Sequence, residues 1–389
     1  MINRLAYFFL SLLCLPLLAS SSVNVSVLIY STQPVTSVIV APANGTYSIV
    51  ADGKTIDTCN SQSVYEVSLN KDSVTLKSLG KTIGTFASVR FKEYGTTRCE
   101  LNIKPVSAAK TRLYDDDLIA SSLITELKLV NICQIEHYIA GVIECEAGRK
   151  KPLEYFKVQA IITRTYAMSN LARHITDGSE LCDGVHCQVY QGTATTPDVI
   201  AAVEATKGLV LVDENSTLID AAFHANCGGY TLNSEDVWSA ALPYLRSMPD
   251  TFCVHQPAAV WTKQMSLKTW TDYLNKKEKH LQKDTLRRQA YWDTIPVKER
   301  TFLYDRGYTI PLKEVRLDLN LHSTYFTVEK DTASSTVTLH GRGFGHRVGL
   351  CQEGAIHMAQ LGYNYQQILH YYYSNVQVID YTILPSGGY

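Results

Sequence analysis

IEHYIAGVIECEAGRKKPLEYFKVQAIITRTYAMS, residues 135–169, is the stretch whose reading decides the fold. In its first half Ile135, Tyr138, Ile139, Val142 and Ile143 recur at steps of three and four, which places them on one face of an α-helix. A helix is predicted over 134–146, with Glu146 in its last turn. Pro152 then stands where a second helix begins, a position that costs nothing because the missing N–H would have had no partner there. The apolar stripe Leu153, Phe156, Ala160, Ile161 and Ala167 continues that helix, and AGRKK joins the two as an antiparallel hairpin.

Towards the N-terminus, residues 23–104 carry short runs such as VSVLIY, TSVIVA, TYSIVA and SVYEVSL, punctuated by Asn-Gly and Asp-Gly pairs. These predict a mostly antiparallel β module over 23–110. Beyond the hairpin, PDVIAAVEATKG reads as a helix between the strand-like CQVYQG and LVLVDENSTLIDAAFHA. The lysine-rich region 261–310 reads as a helical insertion or linker. EVRLDLNL, TYFTVE and TVTLH then read as strands that lead into the glycine-rich HGRGFGHRVG, and helices close the chain near 352–361 and 365–373. The expected class is α+β, with a core in two parts, 111–260 and 311–389.

The first 22 residues have Arg4 ahead of an apolar run and end in small residues, the layout of a cleaved secretory leader. That run is shorter than the ~20 residues that span a bilayer, and Pro16 interrupts it. The mature chain is thus expected outside the cytoplasm, periplasmic or extracellular, with no membrane span. With 36 Lys and Arg against 37 Asp and Glu, nothing in the charge tracks a polyanion, so nucleic acid is not an expected partner. Of ten cysteines, Cys14 sits in the leader. Cys59 with Cys99 is a candidate staple of the β module. His174, Cys182, His186 and Cys187 admit two readings: a structural zinc site, because thiolate and imidazole suit that ion, or a Cys182–Cys187 disulfide.

The hairpin segment, with its K-x-Q-A and R-T-Y-A runs, resembles the SpoIID/LytB family. Further matches follow in order: CDGVHCQVYQG, AAFHANCGGYT with Val237-Trp238 downstream, PYLRSMPD, HGRGFGHRVGLCQEGAIHMAQLGY and ILHYYY. The family's essential glutamate falls on Glu146, not Glu144. Arg347 stands where the family commonly has glycine, and Cys351 where it has serine. The resemblance implies a lytic transglycosylase that acts on peptidoglycan glycan strands lacking stem peptides, and it keeps zinc near the Cys/His segment in play. The family's LytB side implies an alternative, a non-catalytic activator of a cell-wall amidase or a glycan-binding module.

Lytic cleavage requires one carboxylic acid, where ordinary glycoside hydrolysis uses two, and it requires no cofactor. At a helix C-terminus Glu146 faces the negative end of the backbone dipole, which together with burial favours its protonated form. Glu144 is assigned to solvent. Gln159, Arg164 and Tyr166 on the second helix are candidate saccharide contacts, against the plainer readings of a buried, partnered arginine and a core tyrosine. His224, His340, Gly343, His346 and Gln352 are candidate lining residues of a saccharide groove, with a structural histidine as the alternative for His224.

Overall fold

The structure, a computed structural model, describes residues 23–95, 97–278, 296–305 and 308–384. The expected leader, residues 1–22, and residues 279–295 of the expected insertion lie outside them.

Alternating burial shapes the N-terminal half: Asn24–Ile29, Ser37–Asn44 and Thr46–Ala51 each bury every second residue, the mark of strands with one face on a core. Asp52 and Gly53, at φ 47° and 79°, form the tight turn into Lys54–Cys59 that only such residue types accept readily. Two sheets result. The seven-stranded one runs Leu181–Cys182, Asn24–Ile29, Glu126–Gln134, Asp117–Leu123, Ser88–Tyr94, Thr46–Ala51 and Lys54–Cys59. The six-stranded one runs Arg112–Asp115, Glu100–Pro105, Ser37–Asn44, Tyr65–Asn70, Ser73–Ser78 and Lys81–Phe86.

Strand Glu126–Gln134 passes directly into α1 (Ile135–Glu146), which pairs with α2 (Leu153–Ser169) as the expected hairpin. Helix α3 (Pro197–Ala205) packs on both, and α6 (Gln352–Gln360) and α7 (Tyr365–Tyr372) pack on α2. Helix α2 is buried almost all round, including Gln159, Thr163, Arg164 and Thr165, so it is the central rod of the helical layer. One continuous core reaches from Val25 to Leu384 and takes in both sheets and these helices. The N-terminal strands are therefore part of the body that carries the hairpin. The fold is α+β.

A second, smaller core gathers Trp270, Leu274, Leu303, Ile310, Leu312, Val315, Phe326, Val337 and Leu339. Its sheet is Val260–Ser266, Thr336–Arg342 and Phe326–Asp331, backed by α4 (Leu267–Glu278), and α5 (Leu312–Asp318) packs on the hairpin Phe302–Asp305 and Tyr308–Pro311. The structure differs from the sequence-based expectation in three places. The region from 261 opens with a strand and contributes to a folded core. EVRLDLNL is largely helix, because Leu312 and Val315, three apart, bury together while Leu317 stays 76% exposed. CQVYQG forms no strand; its backbone is held by the loop contacts described next.

Candidate functional site

Glu146 ends α1 half-buried. Its Oε1 accepts the Val189 N–H at 3.0 Å, and among the described residues Oε2 has no hydrogen-bond partner. The Tyr155 hydroxyl on α2 lies within electrostatic reach of Glu146 and accepts from Gln159 Nε2 at 3.1 Å, while the buried Gln352 Nε2 has no partner among the described residues. Burial, then Cys351, pushes the Tyr155 phenol well up, so it stays protonated as a donor. Tyr155 was not singled out in the sequence; its place three residues into the second helix was the available signal.

Glu144 does not face solvent as expected. Its side chain is 9% exposed and pairs with Arg149 at 2.7 Å, and it accepts the N–H groups of Thr195 and Thr196, each at 2.8 Å, just before α3. Burial pushes its carboxyl up, but the bonds from Thr196 and Thr195 outweigh that and hold it below the usual range. Glu144 is thus committed to anchoring a helix start.

The four residues of the Cys/His cluster do converge: one ligand atom from each of His174, Cys182, His186 and Cys187 lies within 4.8 Å of the others. His174 Nδ1 is 2.8 Å from Asp177 Oδ2, which turns Nε2 inward to 3.1 Å from His186 Nδ1. A carboxylate behind a histidine is the usual support of an imidazole metal ligand, so the donor set and its surroundings fit zinc. Cys182 and Cys187 are not bonded to each other, nor are Cys59 and Cys99. Val189, two residues past Cys187, is the residue that holds Glu146.

The glycine-rich segment folds back on the strand Phe223–His224, which pairs in parallel with Leu350–Cys351. Gly343, at φ 77°, leaves no room for a Cβ, which would stand 2.6 Å from the Asn226 carbonyl, so its role is close backbone approach. His224 is buried, with Nδ1 3.1 Å from the Val348 carbonyl and Nε2 without a partner. His346 lies beside it at 5.4 Å between ring centroids, with Nε2 2.8 Å from the Phe223 carbonyl. Burial holds His224 well below its ordinary value and His346 down at about 4. Trp238, 38% exposed, tilts against His346 at 5.2 Å. Both line a cavity of about 780 Å³ with Leu232, Phe302 and Arg316. Trp238 stood in the sequence only as part of a motif; its exposed ring is what marks it here.

Arg164 and Tyr166 are not brought to this groove. Arg164 is wholly buried, bonded to both oxygens of Glu136 at 3.0 and 2.5 Å and to the Leu209 carbonyl at 2.9 Å. It locks α2 to the start of α1 instead of meeting a ligand. The Tyr166 hydroxyl accepts from Arg173 and lies 3.5 Å from the His186 carbonyl, so it braces the Cys/His loop. Gln159 is fully buried, which leaves it a positioning role through Tyr155. His340 sits on the small three-stranded sheet, 2.9 Å from Glu329, and is not among the residues that line the Trp238 cavity.

The family model described as stage II sporulation protein, SpoIID, matches residues 124–212, which take in the hairpin, the Cys/His cluster and strand Leu209–Val212. An uncharacterised protein of Brachyspira hyodysenteriae is 30% identical over 260 residues, covering 65% of this chain and 69% of that protein. The stage II sporulation protein D of Bacillus subtilis is 28% identical over 296 residues, covering 72% of this chain and 84% of its own. The amidase enhancer of the same organism is 29% identical over 296 residues, 62% of this chain and 40% of its own length. Among the described residues no helix is long and apolar enough to cross a membrane.

Proposed function

Because this chain belongs to the SpoIID family, we propose that it works at the cell wall as a lytic transglycosylase, cutting peptidoglycan glycan strands that lack stem peptides. Glu146 is its single acid and base. The observation that carries this reading is the state of the two neighbouring carboxylates. Glu144 is occupied by Thr195, Thr196 and Arg149, while Glu146 has one oxygen fixed by Val189 and the other open. One available carboxyl is what the lytic reaction needs and one fewer than hydrolysis needs.

In this scheme the Glu146 carboxyl gives its proton to the glycosidic oxygen as that bond breaks. The resulting carboxylate takes the proton of the same sugar's C6 hydroxyl as that oxygen bonds to the anomeric carbon. A 1,6-anhydro end forms, no water is consumed, and the acid is restored. Tyr155, held by Gln159, keeps a donor within electrostatic reach of the reacting carboxyl. His174, Cys182, His186 and Cys187 would hold zinc in a closed four-ligand site, which supplies folding energy to the loop that carries Val189. The expected leader would direct the chain to the envelope, where that substrate lies.

A second reading is a non-catalytic activator of a cell-wall amidase. Two observations favour it: a relative is named amidase enhancer, and the cavity at Trp238 and His346 does not include Glu146. Denuded glycan strands incubated with the purified chain separate the readings by mass spectrometry. Accumulating 1,6-anhydro ends support the lytic enzyme. Intact strands, together with faster release of stem peptides when an amidase is added, support the activator.

A further inference from the structure

Away from the hairpin, a second group of metal-binding side chains meets in the interior. Cys227, Asp250, Cys253 and Cys351 are all buried, and one ligand atom from each lies within 4.8 Å of the other three. Three separate segments supply them: the turn after Phe223–His224, the 250–253 turn, and the strand Leu350–Cys351. Cys227 Sγ lies 3.3 Å from Cys253 Sγ and 3.3 Å from Asp250 Oδ2. A tetrahedron of thiolates around zinc at its usual bond length has edges of about 3.8 Å, so small shifts of these atoms complete one.

The surroundings are built for anions. The Cys227 N–H points at Cys351 Sγ at 3.3 Å. The Tyr372 hydroxyl donates to Asp250 Oδ2 at 3.0 Å and the Phe252 N–H to Oδ1 at 2.9 Å. Such donors orient and stabilise metal-bound thiolate and carboxylate. Among the described residues no cation hydrogen-bonds to these groups: the nearby buried guanidinium, Arg347, spends its N–H groups on the carbonyls of Cys227, Lys298 and Tyr230 and meets Cys227 and Cys253 only through space. One guanidinium does not balance three thiolates and a carboxylate, and buried anions short of counter-charge are unstable. Helix α6 approaches through Gly354, where a Cβ would stand 2.6 Å from Asp250 Oδ2, so the packing itself keeps the carboxylate in place.

We propose that Cys227, Asp250, Cys253 and Cys351 form a second metal site, for a thiophilic divalent cation, zinc, distinct from the His174, Cys182, His186 and Cys187 cluster. Three thiolates and one carboxylate select zinc over hard cations, and a buried, fully protein-ligated site is structural. The ion ties the strand carrying His224 to the glycine-rich segment and to α6. This inference does not depend on the glycan-cleaving reading.

Metal content decides it. The full chain, prepared with zinc and dialysed, is expected to carry two zinc ions by plasma mass spectrometry. The Cys182→Ser, Cys187→Ser variant should keep one, as should Cys227→Ser, Cys253→Ser. In the first variant, cobalt should give tetrahedral and sulfur-to-cobalt bands, and adding Cys351→Ser should remove about one third of the latter, one thiolate in three. Because the count is made on the unaltered chain, a variant that fails to fold leaves the test intact. No zinc in the unaltered chain, a zinc ion absent from a Cys182→Ser, Cys187→Ser variant that retains its circular dichroism, or a Cys227–Cys253 disulfide in the intact mass overturns the proposal.

Discussion

The Val189 N–H donates to Glu146 Oε1 at 3.0 Å, and Val189 follows Cys187 by two residues. The carboxyl that the proposed chemistry relies on is therefore positioned by a loop whose own shape is set by the Cys/His cluster. A side chain at a helix end has rotamer freedom; a fixed amide removes much of it.

Loosening that cluster should cost activity. Replacing Cys182 and Cys187 by serine frees the 182–189 loop while leaving Glu146 in place. Glycan cleavage is expected to fall by ~10²-fold, the scale of a displacement of about 1 Å in a reacting group, with circular dichroism of the sheets retained. Undiminished product formation would uncouple the cluster from the carboxyl.

Glu144 and Glu146 should separate cleanly. Glu144→Ala removes the acceptor for Thr195 and Thr196, and a lost anchor at a helix start costs about 1 kcal/mol. Urea denaturation should show that loss while anhydro-product formation stays near the unaltered level.

Arg164→Ala should act on stability instead of binding. Its guanidinium is fully buried against Glu136, and removing one partner of a buried pair costs roughly 3–5 kcal/mol. The urea midpoint is expected to drop accordingly, and glycan sedimentation by the folded fraction should be unchanged.

Stability should also depend on pH through His224 and His346. Burial is the main cause of both depressions, with the His346 ring adding to that of His224 and Arg316 to that of His346, which reaches about 4 from 6.5. The folded state therefore binds fewer protons than the unfolded one. Their contribution is complete above pH 6.5 and is lost as the pH falls from there towards 4. Thermal melts across that window should show a falling midpoint, with a shallower fall in His346→Gln.

The hairpin was legible because its apolar residues repeat at the helical period and Pro152 marks the second start. Helix α5 was not: Val315, Leu317, Leu319 and Leu321 alternate as a strand would, and only the second core explains why Leu312 and Val315 turn inward. The position of Glu146 was legible through motif resemblance, but the duty of Glu144 was hidden because Thr195 and Thr196 lie some fifty residues away. Arg164 posed the same difficulty, since its partner Glu136 is 28 residues distant. Side-chain type gives chemical capacity, whereas burial and distant partners decide its use. Cys351 illustrates this as well: a departure from the family pattern in sequence, it meets Cys227, Asp250 and Cys253 in the interior.

The account rests on proton transfer by Glu146, and the most direct measurement replaces that carboxyl by the amide of the same shape. Purified Glu146→Gln and unaltered chains are incubated with denuded glycan strands, and 1,6-anhydro ends are counted by mass spectrometry. The account predicts a loss of at least ~10²-fold, the usual contribution of general acid and base groups, with an unchanged melting temperature. Equal yields of anhydro ends from the two proteins would contradict it.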